Sequence, residues 1–156
     1  MMMDTTACRT EELAHTSEIG LRAQAPTLAD LFGCLARAMI DLTGAQPDDE
    51  AAEDAESLTL EVDVSAVDVE SLLVDWLNEV LYLHEVTGVV PERVTVHAVT
   101  PPTLQAREIR ATVAGRRGRG LPDLQIKAVT YHQLSVVRQN TAEQDGEWKA
   151  EVFFDI

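Results

Sequence analysis

The stretch that decides the fold is Asp68–Glu85, which reads D-V-E-S-L-L-V-D-W-L-N-E-V-L-Y-L-H-E. Its apolar residues recur at intervals of three and four positions, which is the spacing of one face of an α-helix. These residues are Leu72, Leu73, Trp76, Leu77, Val80 and Leu81. We therefore predict a long helix from about Asp68 to Glu85 that buries this stripe, with Trp76 as a core anchor.

A second helix is predicted upstream, between Thr27 and Gly44. Thr27 follows Pro26 and is a good N-cap residue, with Asp30 three positions later as a shortened capping-box partner. Its apolar residues again have helical spacing: Leu28, Leu31, Phe32, Leu35, Met39 and Leu42. The acidic connector Pro47–Glu56 follows this helix.

The other predicted elements are strands, which alternate apolar with polar residues. They are Ile19–Ala25, Leu58–Val64, Arg93–Val99, Leu104–Val113, Ile126–Arg138 and Trp148–Ile156. We predict one α+β domain over residues 1–156, of which residues 1–12 are flexible. Its architecture is a two-layer sandwich, in which a mixed or antiparallel sheet of about six or more strands carries both helices on one face.

Charge is the strongest signal in the composition. Twelve basic residues face 27 acidic ones, and the net charge is −15. Because such a surface repels phosphate, direct nucleic-acid binding is disfavoured, and a basic protein or a cation is the better partner. An acidic surface that serves only solubility explains the charge equally well. The three arginines of G-R-R-G-R-G, Arg116, Arg117 and Arg119, predict a solvated connector, with an anion-contacting loop as the alternative.

The two cysteines and the apolar runs bear on location. Cys8 and Cys34 give no disulfide framework, and Cys34 lies in an apolar helical pattern typical of a small buried side chain. No apolar run approaches the roughly 18–20 residues of a membrane span, and residues 1–12 contain no signal-peptide core. These features favour a cytoplasmic protein without membrane contact.

No catalytic sequence motif is visible, and the four histidines are scattered. The chain end is chemically distinct, because Asp155 and the terminal carboxylate of Ile156 directly follow an apolar strand. Two neighbouring carboxylates repel each other unless a cation lies between them, and oxygen donors favour Ca²⁺ or Mg²⁺. We therefore consider a divalent-metal site here, with a solvated chain end as the alternative.

Four blocks of sequence together resemble the archease family. They are H-T-S-E-I-G-L-R-A-Q-A-P-T-L-A-D-L-F (His15–Phe32), A-V-D-V-E-S-L-L-V-D-W-L-N-E-V-L-Y-L (Ala66–Leu83), I-K-A-V-T-Y-H-Q-L-S-V (Ile126–Val136) and W-K-A-E-V-F-F-D-I (Trp148–Ile156). The blocks occur in the family's order and cover most of the chain from His15 onward.

The resemblance implies an accessory protein and not an enzyme. Archeases assist the RtcB-type RNA ligase of tRNA splicing and RNA repair, promoting its guanylylation by GTP and its multiple turnover. The resemblance also implies a divalent-metal site, most readily for Ca²⁺ with Mg²⁺ as an alternative. Its ligands would be Glu18, Asp155 and the Ile156 carboxylate, with Glu18 in the place of the family's usual Asp.

Two further residues belong to the third block. Lys127 and His132 have an odd separation, which places them on opposite faces of a regular strand. We expect Lys127 to face the carboxylates, where a cation would tune them, although an ordinary solvent-facing lysine fits the pattern as well. The alternative functions are a small divalent-metal-dependent hydrolase, with Glu18 and Asp155 as ligands and His132 as base, and an acidic chaperone-like binding module.

Overall fold

The computed structural model describes residues 8–14, 18–48, 57–99, 107–119, 122–139 and 146–156. Within these ranges the chain forms strands β1 (Arg9–Ala14) and β2 (Glu18–Ala25), helix α1 (Leu28–Leu42), strand β3 (Leu58–Ala66), helix α2 (Val69–Thr87), and strands β4 (Val89–Val99), β5 (Arg107–Arg117), β6 (Ala128–Arg138) and β7 (Trp148–Asp155). None of the helices in this described part of the chain is long and apolar enough to cross a membrane.

Both predicted helices are confirmed, and their ends follow from their capping residues. Thr27 is the N-cap of α1, and its hydroxyl accepts the Asp30 N–H at 3.1 Å. Asp68 is the N-cap of α2, and its carboxylate accepts the Ser71 N–H at 2.7 Å. Helix α2 ends at Thr87 and is capped by Gly88, whose φ of +79° lies in the left-handed region that glycine adopts without strain.

The strands form two antiparallel sheets, so the predicted single sheet is corrected while the α+β sandwich is confirmed. The four-stranded sheet has the order β1-β2-β7-β6, and the three-stranded sheet has the order β3-β5-β4. Each helix contacts strands of both sheets. The reason lies in α2, whose buried residues spread over more than one narrow stripe (Leu72, Leu73, Val74, Trp76, Leu77, Val80 and Leu81) and so need cover from two sides.

Trp76 is the core anchor that its position predicts. Its side chain is fully buried, and its indole N–H donates to the Phe32 backbone oxygen at 2.9 Å. This hydrogen bond links α2 to α1 and satisfies the one polar atom that the tryptophan side chain brings into the core.

Strand β1 was not predicted, and residues 9–12, which were expected to be flexible, lie in this strand. This strand pairs with β2 along its whole length, from Arg9 opposite Gln24 to Ala14 opposite Ile19. Its sequence, R-T-E-E-L-A, is largely exposed and shows no apolar alternation. A search for alternating apolar and polar residues therefore does not identify this strand. Residues 1–7 lie outside the described ranges.

The interpretation of the cysteines is also corrected. Cys8 and Cys34 form a disulfide with a Cα–Cα distance of 6.3 Å and a sequence separation of 26. The bond ties the residue that precedes β1 to the middle of α1. Both cysteines are half-buried, so Cys34 is not a fully buried apolar side chain.

The glycine-arginine stretch is likewise only partly a connector. Arg116 and Arg117 are the last residues of β5. The Arg116 guanidinium binds both oxygens of Glu92 on β4, at 3.0 and 2.8 Å, and this pairing lowers the pKa of Glu92. One of the three arginines is thus engaged by a neighbouring carboxylate, which weakens the case for an anion-contacting loop.

Candidate metal centre

Strands β2 and β7 are neighbours in the four-stranded sheet, and their register places Glu18 directly opposite Asp155. Directly opposed residues of antiparallel strands project from the same face, with Cβ atoms roughly 5 Å apart. The two carboxylates that the sequence nominates are 137 positions apart in the chain, yet they meet as one cross-strand pair.

The end of the chain is held on both sides up to Asp155. Strand β7 pairs with β2 and with β6, where Ala128 lies opposite Asp155. The Lys127 backbone N–H adds a hydrogen bond to the Asp155 backbone oxygen at 2.8 Å. Ile156 therefore follows a residue whose backbone is paired on both sides, and the place of its carboxylate in a metal site stays a prediction.

The backbone of Lys127 is next to the carboxylate pair, because its N–H is hydrogen-bonded to the backbone oxygen of Asp155. Ala128 is opposite Asp155 and shares its face of the sheet, so Lys127 begins on the other face. Among the described residues, its ammonium forms no ion pair. A role for Lys127 in tuning the carboxylates remains a prediction.

Strand β6 departs from regular pairing next to this pair. Thr130 lies opposite Phe153, but the next aligned pair is Ser135 with Glu151. Residues 131–134 therefore form a bulge, in which Gln133 has a φ of +53°. The Thr130 hydroxyl fixes the start of the bulge, because it donates to the Phe153 oxygen and accepts the His132 N–H, both at 3.2 Å.

The bulge brings His132 close to Glu18. Its Nε2 lies 3.6 Å from Glu18 Oε1, although β7 separates β6 from β2. The ring meets Phe153 edge-on, with centroids 6.4 Å apart. Sequence reasoning chose Lys127 over His132 for this position. The bulge, which a single sequence does not reveal, brings His132 close to Glu18 as well, and the role of Lys127 stays a prediction.

Phe153 provides the platform for this histidine. It lies on the outer face of the sheet and is only 2% exposed, unlike the polar residues that precede and follow it on that face. Its ring lies over Gly20, where an added Cβ would stand 2.7 Å from two ring carbons. The Phe153 ring thus lies between Gly20 on one side and the edge-on ring of His132, which in turn lies close to Glu18.

The donor chemistry fits the hard divalent cation that the sequence predicts, because Glu18, Asp155 and the terminal carboxylate all offer oxygen atoms. In the ranges that the structure describes, no group of three or more His, Cys, Asp or Glu side chains is placed to hold a metal ion. The donor set therefore consists of one cross-strand carboxylate pair and the chain terminus, and it is not a closed cage.

A second carboxyl pair lies on the three-stranded sheet, which sequence reasoning missed. The hydrogen bond and charge of Asp63 raise the pKa of Glu108. Nearby, His97 Nε2 is 2.6 Å from the Thr112 hydroxyl. Both groups lie on an exposed polar face, as ordinary strand alternation predicts.

Comparison with known proteins identifies the fold and the family. Residues 11–156 match the model of the Archease protein family. The chain is 37% identical over 152 residues to the protein archease of Methanosarcina acetivorans, covering 94% of each chain, and 28% identical to that of Pyrococcus furiosus, covering 94% of this chain and 97% of the other.

A solved structure agrees with these relatives. The solution structure of Methanobacterium thermoautotrophicum protein 1598 superposes with a TM-score of 0.70 at 26% identity, covering 94% of this chain and 98% of that one. The family model spans nearly the whole chain, including Glu18, Lys127, His132 and the chain end. The chain belongs to the archease family.

Proposed function

We propose that this chain is the accessory protein of an RtcB-type RNA ligase, and that it promotes the ligase's GTP-dependent guanylylation and multiple turnover in tRNA splicing and RNA repair. Membership of the archease family supports the proposal. The observation that carries it is the register of β2 and β7, which pairs Glu18 with Asp155 next to Ile156.

In this proposal the carboxylates bind a divalent metal. Glu18, Asp155 and the Ile156 carboxylate supply oxygen atoms, and Ca²⁺ or Mg²⁺ supplies the positive charge that relieves their repulsion. Lys127 immediately precedes β6, and its backbone N–H is hydrogen-bonded to Asp155; we propose that its charge tunes the same carboxylates. The role of the fold in this proposal is to hold the two carboxylates together at one end of the two central strands, β2 and β7.

The charge of the chain supports a protein partner over a nucleic acid. A net charge of −15 opposes contact with phosphate, and Arg116 is already paired with Glu92. We propose that the chain works in the cytoplasm, that it meets a basic surface of the ligase, and that it does not bind RNA directly.

One incubation separates the functional classes. The purified chain is mixed with GTP and RNA, with and without the cognate ligase, and guanylylated ligase and joined RNA are quantified. The proposal predicts that the chain increases guanylylation of the ligase and the yield of joined RNA, and that the chain without the ligase turns over neither GTP nor RNA. It is overturned if guanylylation and turnover of the ligase are the same with and without the chain.

The alternative is a small divalent-metal-dependent hydrolase. The observation in its favour is His132, which lies 3.6 Å from Glu18 Oε1 and would serve as a base beside a bound metal ion. In the same incubation, this alternative predicts hydrolysis of GTP or RNA by the chain without the ligase.

A further inference from the structure

We infer that the disulfide between Cys8 and Cys34 is a redox switch for strand β1. When a dithiol reductant opens the bond, β1 is released from α1 and opens locally, and the outer edge of β2 becomes unpaired. Strand β2 has β7 on its other side, because the sheet order is β1-β2-β7-β6. The switch goes beyond the proposed role at the ligase, since it needs no ligase to operate.

Strand β1 has little apolar contact with the core. Of the residues of β1, Arg9–Ala14, only Leu13 is even partly buried. Thr10, Glu12 and Ala14 lie opposite residues of β2 that pack in the core, so they share the core-facing side of the sheet, yet all three are exposed. An antiparallel strand is normally held by apolar side chains on this side. Strand β1 lacks that attachment.

Cys8 provides an attachment of another kind. It directly precedes β1 and continues the alternation of the strand toward the core-facing side. Its disulfide joins it to Cys34 in the middle of α1, with 6.3 Å between the two Cα atoms. The bond therefore fixes the first turn of the chain before β1 to the helix layer, and its loss frees the strand from that end.

The polar side-chain contacts of β1 in the described part of the chain lie on the surface. Arg9 donates to Gln24 at 2.7 Å and to Glu147 at 3.0 Å, and Arg22 forms an ion pair with Glu11 at 3.1 Å. The ion-paired side chains are between 36% and 67% exposed, and ion pairs in such positions contribute little to stability. Without the disulfide, β1 is held mainly by its backbone hydrogen bonds to β2, as strands that open locally are.

The disulfide is accessible to a reductant. Both cysteines are half-buried, and both line a groove of about 660 Å³ between β1, α1 and β4. A thiolate of the dithiol attacks one sulfur, and the other cysteine leaves as a thiolate and takes a proton. The second thiol of the reductant then completes its own disulfide and releases the first cysteine, so the chain gains two electrons and two protons. In the cytoplasm proposed for this chain, disulfides are usually of this redox-sensing kind.

Hydrogen exchange followed by mass spectrometry tests the switch on the purified full chain. The oxidised chain is compared with chain incubated in dithiothreitol and, as the matched control, in the same concentration of oxidised dithiothreitol. Alkylation of free thiols shows which cysteines have been reduced. Cys8→Ala combined with Cys34→Ala gives the response of a chain with no bond to open. Strand β5, at the centre of the other sheet, is the internal reference.

We expect dithiothreitol to make both cysteines available for alkylation without denaturant. The amides of β1 should then exchange about tenfold faster or more, at labelling times at which β5 remains protected. The double variant should exchange like the reduced chain, with or without dithiothreitol.

Equal exchange of β1 in the oxidised and reduced chains would overturn the switch. So would loss of protection in β5 at the same labelling times, because the bond would then only add to the stability of the whole fold. Reduction that requires denaturant, or free alkylation of both cysteines in the oxidised chain, would also contradict it.

Discussion

Gly20 illustrates how a single residue shapes the candidate site. A methyl group at this position would approach the Phe153 ring to 2.7 Å and the Val152 backbone oxygen to 3.0 Å. Phe153 is almost fully buried, so its ring has little space into which it could move. The glycine thus permits the aromatic platform on which His132 rests.

We predict that Gly20→Ala lowers the free energy of unfolding by about 1–3 kcal/mol, as overpacking usually does. Gly33→Ala is the matched control. A Cβ at Gly33 would meet its nearest neighbour at an ordinary 3.7 Å, and alanine in a helix interior is favoured by roughly 0.5–1 kcal/mol. Urea unfolding measures both variants. A Gly20→Ala protein as stable as the wild type would contradict the close packing of Phe153 against Gly20.

Asp155 is the residue on which the metal proposal depends most. We predict that Asp155→Ala loses Ca²⁺ and Mg²⁺ binding in calorimetric titration while its melting temperature stays close to that of the wild type, because the side chain is exposed at a strand end. Asp75→Ala, which removes an exposed carboxylate from α2, controls for net charge. Equal Ca²⁺ affinity in Asp155→Ala and the wild type would exclude this carboxylate from the site.

Single elements differ in how far their sequences determine them. The two helices were predictable because their apolar stripes and their caps, Thr27 and Asp68, agree. Strand β1 was not, because R-T-E-E-L-A has no buried face of its own and is defined by its pairing with β2. The same holds for the bulge around His132, which depends on a long-range register and on Gln133 adopting a positive φ.

The N-cap of α2 gives a test at the scale of the element. The Ser71 backbone N–H that Asp68 accepts lowers the pKa of this carboxyl, so folding favours its charged form. The stabilisation is therefore present above the pKa of the unfolded chain and is lost as the pH falls through the lower pKa of the folded chain.

We predict that Asp68→Ala destabilises the protein by about 1 kcal/mol near pH 7, and that its difference from the wild type shrinks below about pH 4. Asp68→Asn keeps a capping oxygen and should retain most of the stability at either pH. Chemical unfolding at the two pH values measures this. A difference between the alanine variant and the wild type that grows in acid would contradict the assigned cap.

The disulfide between the start of β1 and α1 was missed because a pair of cysteines 26 positions apart has no signature in one sequence. Closing a loop of this length stabilises a fold by roughly 3 kcal/mol in the chain-entropy model. We predict that Cys8→Ala combined with Cys34→Ala lowers the free energy of unfolding by about 2–4 kcal/mol.

Reductant provides the control for this prediction. It should destabilise the wild type by a similar amount and leave the double variant unchanged, since the variant has no bond to lose. Identical urea midpoints for the oxidised wild type and the double variant would show that the bond does not contribute to stability.

At the scale of the whole molecule, the topology of the four-stranded sheet brings Glu18, near the start of the chain, opposite Asp155, near Ile156. Sequence patterns predicted the two helices, every strand except β1 and the acidic surface, but not the division of the strands between two sheets. The meeting of Glu18 with Asp155 could be expected only through the family resemblance, because strand order is a property of the complete fold.

The central claim is that the Ile156 carboxylate, next to Asp155, is part of the site through which this chain activates the ligase. The most direct measurement is the rate of guanylylation of the cognate RtcB-type ligase by GTP, at sub-saturating amounts of this chain. It compares the native chain with one extended by a single glycine after Ile156, and with one extended by a glycine before Met1. The extension after Ile156 moves the terminal carboxylate away from Asp155. The account predicts that the rate falls toward that of the ligase alone only for this C-terminal extension, whereas equal stimulation by all three forms would contradict it.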